Sequence, residues 1–444
     1  MEHIIRKQTI DILLKSGMDS FGIQQKLSNQ YWNFIIPWLE VEFDNVSNDN
    51  DFLVIDSLVI DLGIIQVNDI DKIGVNLKFI NIIKKQIQDQ FIEEKTFKHS
   101  LKIRSTASNH FYQWFFYMAN GYLNWNVSSV NDEWYEHVLQ ELASDIAAIN
   151  QFRIEIRDNP FFLLRLIRQH SEDFLILLIK ILAPNYIQES TDLINKFHKK
   201  LNAKKILNTG IGVAFYEIFW KKIITISALI PKEDPLNSSI KILNEIDLER
   251  LIPSQVQDES ALDFSEDIIN PDDLVEPDDH LFIQYAGLIL LHPFLNSLFK
   301  NLELLQDKEF VNIKSQEKAI HLLHYAATGN MEPKEYELVV PKIICGYAIK
   351  SAIPSRVELT ITERNEVDEM LESAISNWGI LNNTSPDGLR EGFLQRNGAV
   401  LIEMDKIKIR VEKGDIDMLL DYLPWNLSLI KLPWLKKIVQ VEWR

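Results

Sequence analysis

Between residues 253 and 279 the chain carries ten carboxylates, three prolines and neither lysine nor arginine. Like charges at this density repel one another, and Pro253, Pro271 and Pro277 remove backbone donors from any regular element. The run from Asp258 and Glu259 to Asp278 and Asp279 therefore reads as a solvated acidic linker. At roughly 100–200 residues per domain, a 444-residue chain has room for two or three domains. The expected division is an N-terminal unit at 1–95, a helical middle at 96–252, the linker at 253–279 and a C-terminal domain at 280–444.

Those ten carboxylates make up more than half of the net charge of −18, so the rest of the chain is only mildly acidic. This balance speaks against a nucleic-acid partner, which needs Lys and Arg to displace phosphate counterions. Ten Trp and 23 Phe supply ample core-forming area. Cys345 stands alone, so no internal disulfide is expected and a reducing, cytoplasmic setting is the simplest. The opening MEHIIRKQTIDILLKSG has charges at Glu2, Arg6, Lys7, Asp11 and Lys15, unlike a secretory signal. The longest apolar stretch, Pro160 to Pro184, is broken by Arg165, Arg168, Glu172 and Asp173, which leaves pieces too short to span a membrane. No membrane insertion is expected.

The N-terminal unit reads as helix, strand pair, helix. Ile4, Ile5, Ile10, Leu13 and Leu14 recur at helical spacing, with Gly17 as a stop, and a second helix is expected from Ser20 to Phe34. Trp38 to Phe43 alternates at period two, polar residues Asn45–Asp51 offer a turn, and Phe52–Leu62 is rich in Val, Ile and Leu. The two runs are expected to pair as strands. Ile73, Leu77, Ile80, Ile83, Ile87 and Phe91 then mark the apolar stripe of an amphipathic helix. The middle is helical and aromatic, and Phe161–Leu182 should form two buried helices joined at Gln169–Asp173.

Residues that could carry chemistry are few. His321 and His324 lie three apart on a helix expected over Ser315–Ala327, and His292 could join them at a metal ion. No HExxH accompanies them, and Leu322, Leu323 and Tyr325 surround them, so they read as satisfied interfacial histidines rather than ligands. Cys345, in the apolar run Val339–Gly346, reads as an inert buried thiol. GxxxxGK[ST], GxGxxG and GxSxG are all absent. The chain is expected to be no enzyme and to need no cofactor or metal.

The C-terminal end carries the most specific pattern. Leu423-Pro424-Trp425 and Leu432-Pro433-Trp434 repeat nine residues apart, and each proline turns the chain beside its Trp. Lys437–Trp443 alternates like a terminal strand. Ser385 and Pro386 mark a helix start that ends at Asn397-Gly398. Strands are expected at Ala399–Glu403, Ile407–Glu412 and Asp415–Leu420. The fold class is therefore mainly α with small β elements, and the C-terminal domain is α+β. Two uses of the tryptophans remain open: anchors of a local core, or a docking surface. The expected protein-contact residues are Trp425, Trp434 and Trp443, with Arg390 and Arg396 as polar partners.

Several of these segments together resemble the tape measure proteins of contractile injection systems, phage-tail-like particles of the antifeeding-prophage type. The likeness runs through Gly287–Leu295, Ala319–Tyr325, Leu338–Gly346, Trp378, Thr384–Gly398, both Leu-Pro-Trp units and Val441-Glu442-Trp443. Leu58–Gly63, ending in Asp-Leu-Gly, is similar to the family's N-terminal strand. The resemblance implies a structural protein inside or at the base of the inner tube, setting tube length and contacting tube and baseplate subunits. It leaves room for a homo-oligomer. A ruler of this kind would convert chain length to tube length at about 1.5 Å per helical residue. The alternative is a baseplate adaptor or assembly chaperone without length information.

Overall fold

The computed structural model describes residues 3–5, 8–46, 51–55, 57–96, 102–127, 129–203, 210–229, 281–381 and 383–443. The linker expected at 253–279 and most of the turn expected at Asn45–Asp51 lie outside them. The chain is mainly α with a small mixed sheet, and it divides into two compact units. The smaller comprises 1–112 and 128–141; the larger comprises 113–127 and 142–444.

In the smaller unit, α1 (Ser20–Gln30) is capped by Asp19, whose carboxylate accepts from the Gly22 N–H at 3.0 Å. A π-helical turn at Tyr31–Ile35 leads into α2 (Ile36–Val46). The wider turn accommodates Pro37, whose ring would crowd a carbonyl in a regular helix. The strand expected at Trp38–Phe43 is thus a helix. Ile36, Leu39 and Phe43, at spacings of three and four, pack against Ile83 and Ile87 of α3 (Leu77–Thr96), while Val41 is exposed. A short alternating run carries both periods, and the packing decided between them. No helix forms over the described part of residues 3–15. Ile10, Leu13 and Leu14 are exposed, and a short β-branched segment without a face to bury is marginal as a helix.

The second expected strand is only partly one. β1 (Asp51–Val54) pairs antiparallel with β2 (Lys102–Ser105), not with residues 38–43. Beyond it Leu58, Ile60 and Leu62 still turn inward at period two onto Leu39, Ile83 and Ile87. Their backbone is paired by side chains instead of a strand. Gln86 accepts from the Asp61 N–H at 2.7 Å and donates to the Asp61 carbonyl at 2.7 Å. Gln90, one turn on, does the same for Val59. The Asp-Leu-Gly ending closes as a turn, with the Gly63 N–H donating to the Asp61 carboxylate at 2.8 Å and Gly63 at φ +67°.

In the chain order that follows, α4 is Thr106–Asn120, α5 Asp132–Ser144, α6 Ile146–Asp158, α7 Pro160–Gln169, α8 Glu172–Leu182, α9 Ile187–Ala203 and α10 Gly210–Leu229. The two buried helices expected around Gln169–Asp173 are α7 and α8, each started by a polar cap, Asn159 and Ser171. In the larger unit Trp114 stacks on Phe152 and meets Phe162 and Phe174 edge-on or tilted. Phe197 of α9 stacks on Phe219 of α10 at 3.9 Å.

The larger unit continues with β3 (Leu281–Ile283), α11 (His292–Asn301), the hairpin β4 (Leu305–Gln306) and β5 (Glu309–Phe310), α12 (Ile313–Thr328), α13 (Val339–Cys345), α14 (Ile361–Asn377) and α15 (Pro386–Leu389). β6 (Gly398–Ile402), β7 (Lys406–Val411), β8 (Leu429–Ile430) and β9 (Ile438–Glu442) complete a sheet in the order β3-β6-β7-β9-β8. All its pairs are antiparallel except β7 with β9. The strand expected at Asp415–Leu420 is instead a 3₁₀ turn, Asp417–Tyr422. A parallel β7–β9 pair needs a crossover, and that segment begins it.

Candidate functional site

The crossover from β7 to β9 carries both Leu-Pro-Trp units, and its two indoles fasten it to α11 and its neighbours. Trp425 meets Phe294 edge-on at 5.3 Å and donates its Nε1–H to the Leu290 carbonyl at 3.1 Å. Trp434 lies 5.5 Å from Phe299 and 5.7 Å from Phe310, and donates to the Ile344 carbonyl at 2.7 Å. Both rings are half-buried, and Pro424, Leu429 and Pro433 beside them are exposed. Trp443 is buried at 4% exposure, 6.5 Å from Phe393.

The two arginines are used internally. Arg390 donates to the Ala326 carbonyl at 3.1 Å and to Asp368 and Asp387 at 2.8 Å each, with its guanidinium 5.6 Å from the Tyr325 ring. It thereby covers the C-terminal end of α12, where carbonyls lack helical partners. Arg396 donates to the Gly392 carbonyl at 2.9 Å and lies 3.8 Å from Asp417. Gly287 has no room for a side chain: a Cβ there would sit 1.8 Å from the Phe393 carbonyl oxygen. The segments 287–295, 338–346, 384–398 and 423–434, scattered in sequence, thus grip one another in space.

A second cluster was not anticipated as a unit. Arg165 of α7, Glu335 and Lys342 of α13 have side chains with no exposed surface. Glu335 accepts from Arg165 Nε at 2.9 Å and from Lys342 Nζ at 2.7 Å. Arg165 also donates to the Met118 and Lys350 carbonyls, and Lys342 to those of Ile349 and Ser351 at 3.1 and 2.8 Å. Burial pulls the Lys342 ammonium down to about 8, against the upward pull of Glu335. Arg168 pairs through two nitrogens with Glu217 and reaches the Ala352 carbonyl at 3.0 Å. Two of the charges that interrupt the apolar stretch at 160–184, Arg165 and Arg168, therefore tie α7 to residues 335–352. Two charges in an apolar run were the available signal; their ion-pair partners, 49 residues away for Arg168 and 170 for Arg165, were not readable.

The histidines at 321 and 324 point to different partners. The His321 Nε2–H donates to the Pro354 carbonyl at 3.0 Å, and His324 Nδ1 to that of Asn330 at 3.2 Å, with Glu337 3.4 Å from its Nε2. His292 Nδ1 lies 3.2 Å from the Ile289 carbonyl. Burial pushes His321 down to about 4 and the Cys345 thiol well up. Because the folded value of His321 is below the unfolded imidazole value of about 6.5, its stabilising effect is complete above that pH and is lost as pH falls toward 4. Between pH 7 and pH 5 the loss is about 2 kcal/mol. Urea midpoints at the two pH values should therefore fall further for the wild type than for His321→Gln; equal falls would contradict the assignment.

The chain belongs to the contractile injection system tape measure protein family, whose model matches residues 2–443. That family is a structural one, not an enzyme family, so this chain is a structural component of a contractile injection system. No curated protein and no solved structure matches it. Among the described residues, no helix is long and apolar enough to cross a membrane.

Proposed function

We propose that this protein acts as the tape measure of its particle, setting the length of the inner tube while contacting tube and baseplate subunits from the cytoplasmic side of assembly. Family membership over nearly the whole length carries this reading. The contact surface proposed is the half-buried pair Trp425 and Trp434 with the exposed Pro424, Leu429 and Pro433. Trp443, Arg390 and Arg396, expected from the sequence to share in these contacts, make the internal contacts described above. Rigid half-buried indoles suit such a role because little side-chain freedom is lost on binding.

One observation favours the adaptor or chaperone reading. The Arg165–Glu335–Lys342 cluster ties α7 to the C-terminal part, which supports α6 to α10 working as folded helices rather than as a stretched ruler. Both readings require the chain inside or against the particle. Cross-linking followed by mass spectrometry on purified particles should join residues 423–434 to tube or baseplate subunits. Recovery of the chain only as free protein would end both.

A further inference from the structure

In the smaller unit, His110 of α4 and His137 of α5 face each other through their Nδ1 atoms at 3.0 Å, with ring centroids 5.0 Å apart. Two imidazole nitrogens this close share either one proton or one cation. Glu133 lies one turn before His137 on α5, the i, i+4 spacing that places two side chains on one helix face. Its carboxylate favours positive charge at His110. The rings of Phe52 and Trp134, 6.1 and 6.4 Å from His110, flank the pair, and both histidines remain half-exposed, which leaves an entry path.

The separation also selects among metals. With metal–imidazole bonds of about 2.0–2.1 Å, nitrogens 3.0 Å apart subtend roughly 95°. A tetrahedral Zn²⁺ would hold them ~3.3 Å apart. Angles near 90° belong to the tetragonal sites of Cu²⁺ and Ni²⁺. Among the described residues no group of three His, Cys, Asp or Glu gathers as a full ligand set, so water would complete the coordination.

We propose that His110 and His137 form a two-imidazole site for Cu²⁺ or Ni²⁺ that clamps α4 to α5, with Glu133 as the neighbouring countercharge. This site is independent of the tape measure reading. The test is calorimetric titration of the full chain with Cu²⁺ and with Ni²⁺, in a His3→Asn background so that His3 and the amino terminus do not compete. One equivalent per chain is expected, at least tenfold weaker in His110→Asn and in His137→Asn and unchanged in His198→Asn. Affinity unchanged in either of the first two variants would overturn the proposal. Should those variants fail to fold, electron paramagnetic resonance of the Cu²⁺-loaded His3→Asn protein decides. Coupling to two imidazole nitrogens is the expected result; coupling to one or none refutes it.

Discussion

Replacing Glu335 with alanine should destabilise the larger unit by about 3–5 kcal/mol, the cost of leaving buried charge without its partner. Among the described residues, Glu335 is the single carboxylate paired with both Arg165 and Lys342, and all three side chains are wholly buried. Removing it strands two cations at once, and the surroundings cannot relax to water. Gly121 marks how close the packing is: at φ +81°, a Cβ there would lie 2.7 Å from an Arg165 nitrogen and 2.9 Å from a Glu335 oxygen. Urea unfolding monitored by tryptophan fluorescence reads the effect. Replacing Arg165, Glu335 and Lys342 together with Met, Leu and Met should recover part of the loss, because apolar groups leave no unpaired charge. The recovery stays incomplete, since the carbonyls of Met118, Lys350, Ile349 and Ser351 lose their donors. A Glu335→Ala midpoint within error of the wild type would show that the cluster does not hold the middle to the C-terminal part.

The elements legible in the sequence were those whose signal is local. Asn159 and Ser171 cap α7 and α8, Ser385 and Pro386 start α15, and the alternation of Lys437–Trp443 became β9. The misread elements were short runs that satisfy two periods at once. Trp38–Phe43 alternates, yet Leu39 and Phe43 also fall on one helix face, and α3 was there to receive it. Leu58–Leu62 kept its inward alternation but found side-chain amides of Gln86 and Gln90 where a strand partner was expected, a substitution no pattern announces. At the tryptophans, sequence showed the turning prolines but left core and docking uses open. The structure gives the indole N–H groups of Trp425 and Trp434 internal carbonyl partners and leaves both residues half-buried. Arg165 and Lys342 were visible only as charges in apolar runs, because pairing over this sequence distance is decided by tertiary packing alone.

The largest functional effect expected is on tube length. Deleting a block from the middle would remove buried helices such as α8 and α9 and unfold the larger unit, so it cannot separate a ruler from an adaptor. Insertion between residues 253 and 279, the run read from the sequence as a solvated linker, leaves α8 and α9 intact. Each added residue of a helix-forming insert should lengthen a tube read from a helical ruler by about 1.5 Å, so 40 added residues correspond to ~60 Å. Electron microscopy of particles carrying a graded series of such insertions measures this most directly. Tubes that lengthen in step with the insert are the predicted result; tubes of constant length, assembled normally, would contradict the tape measure role.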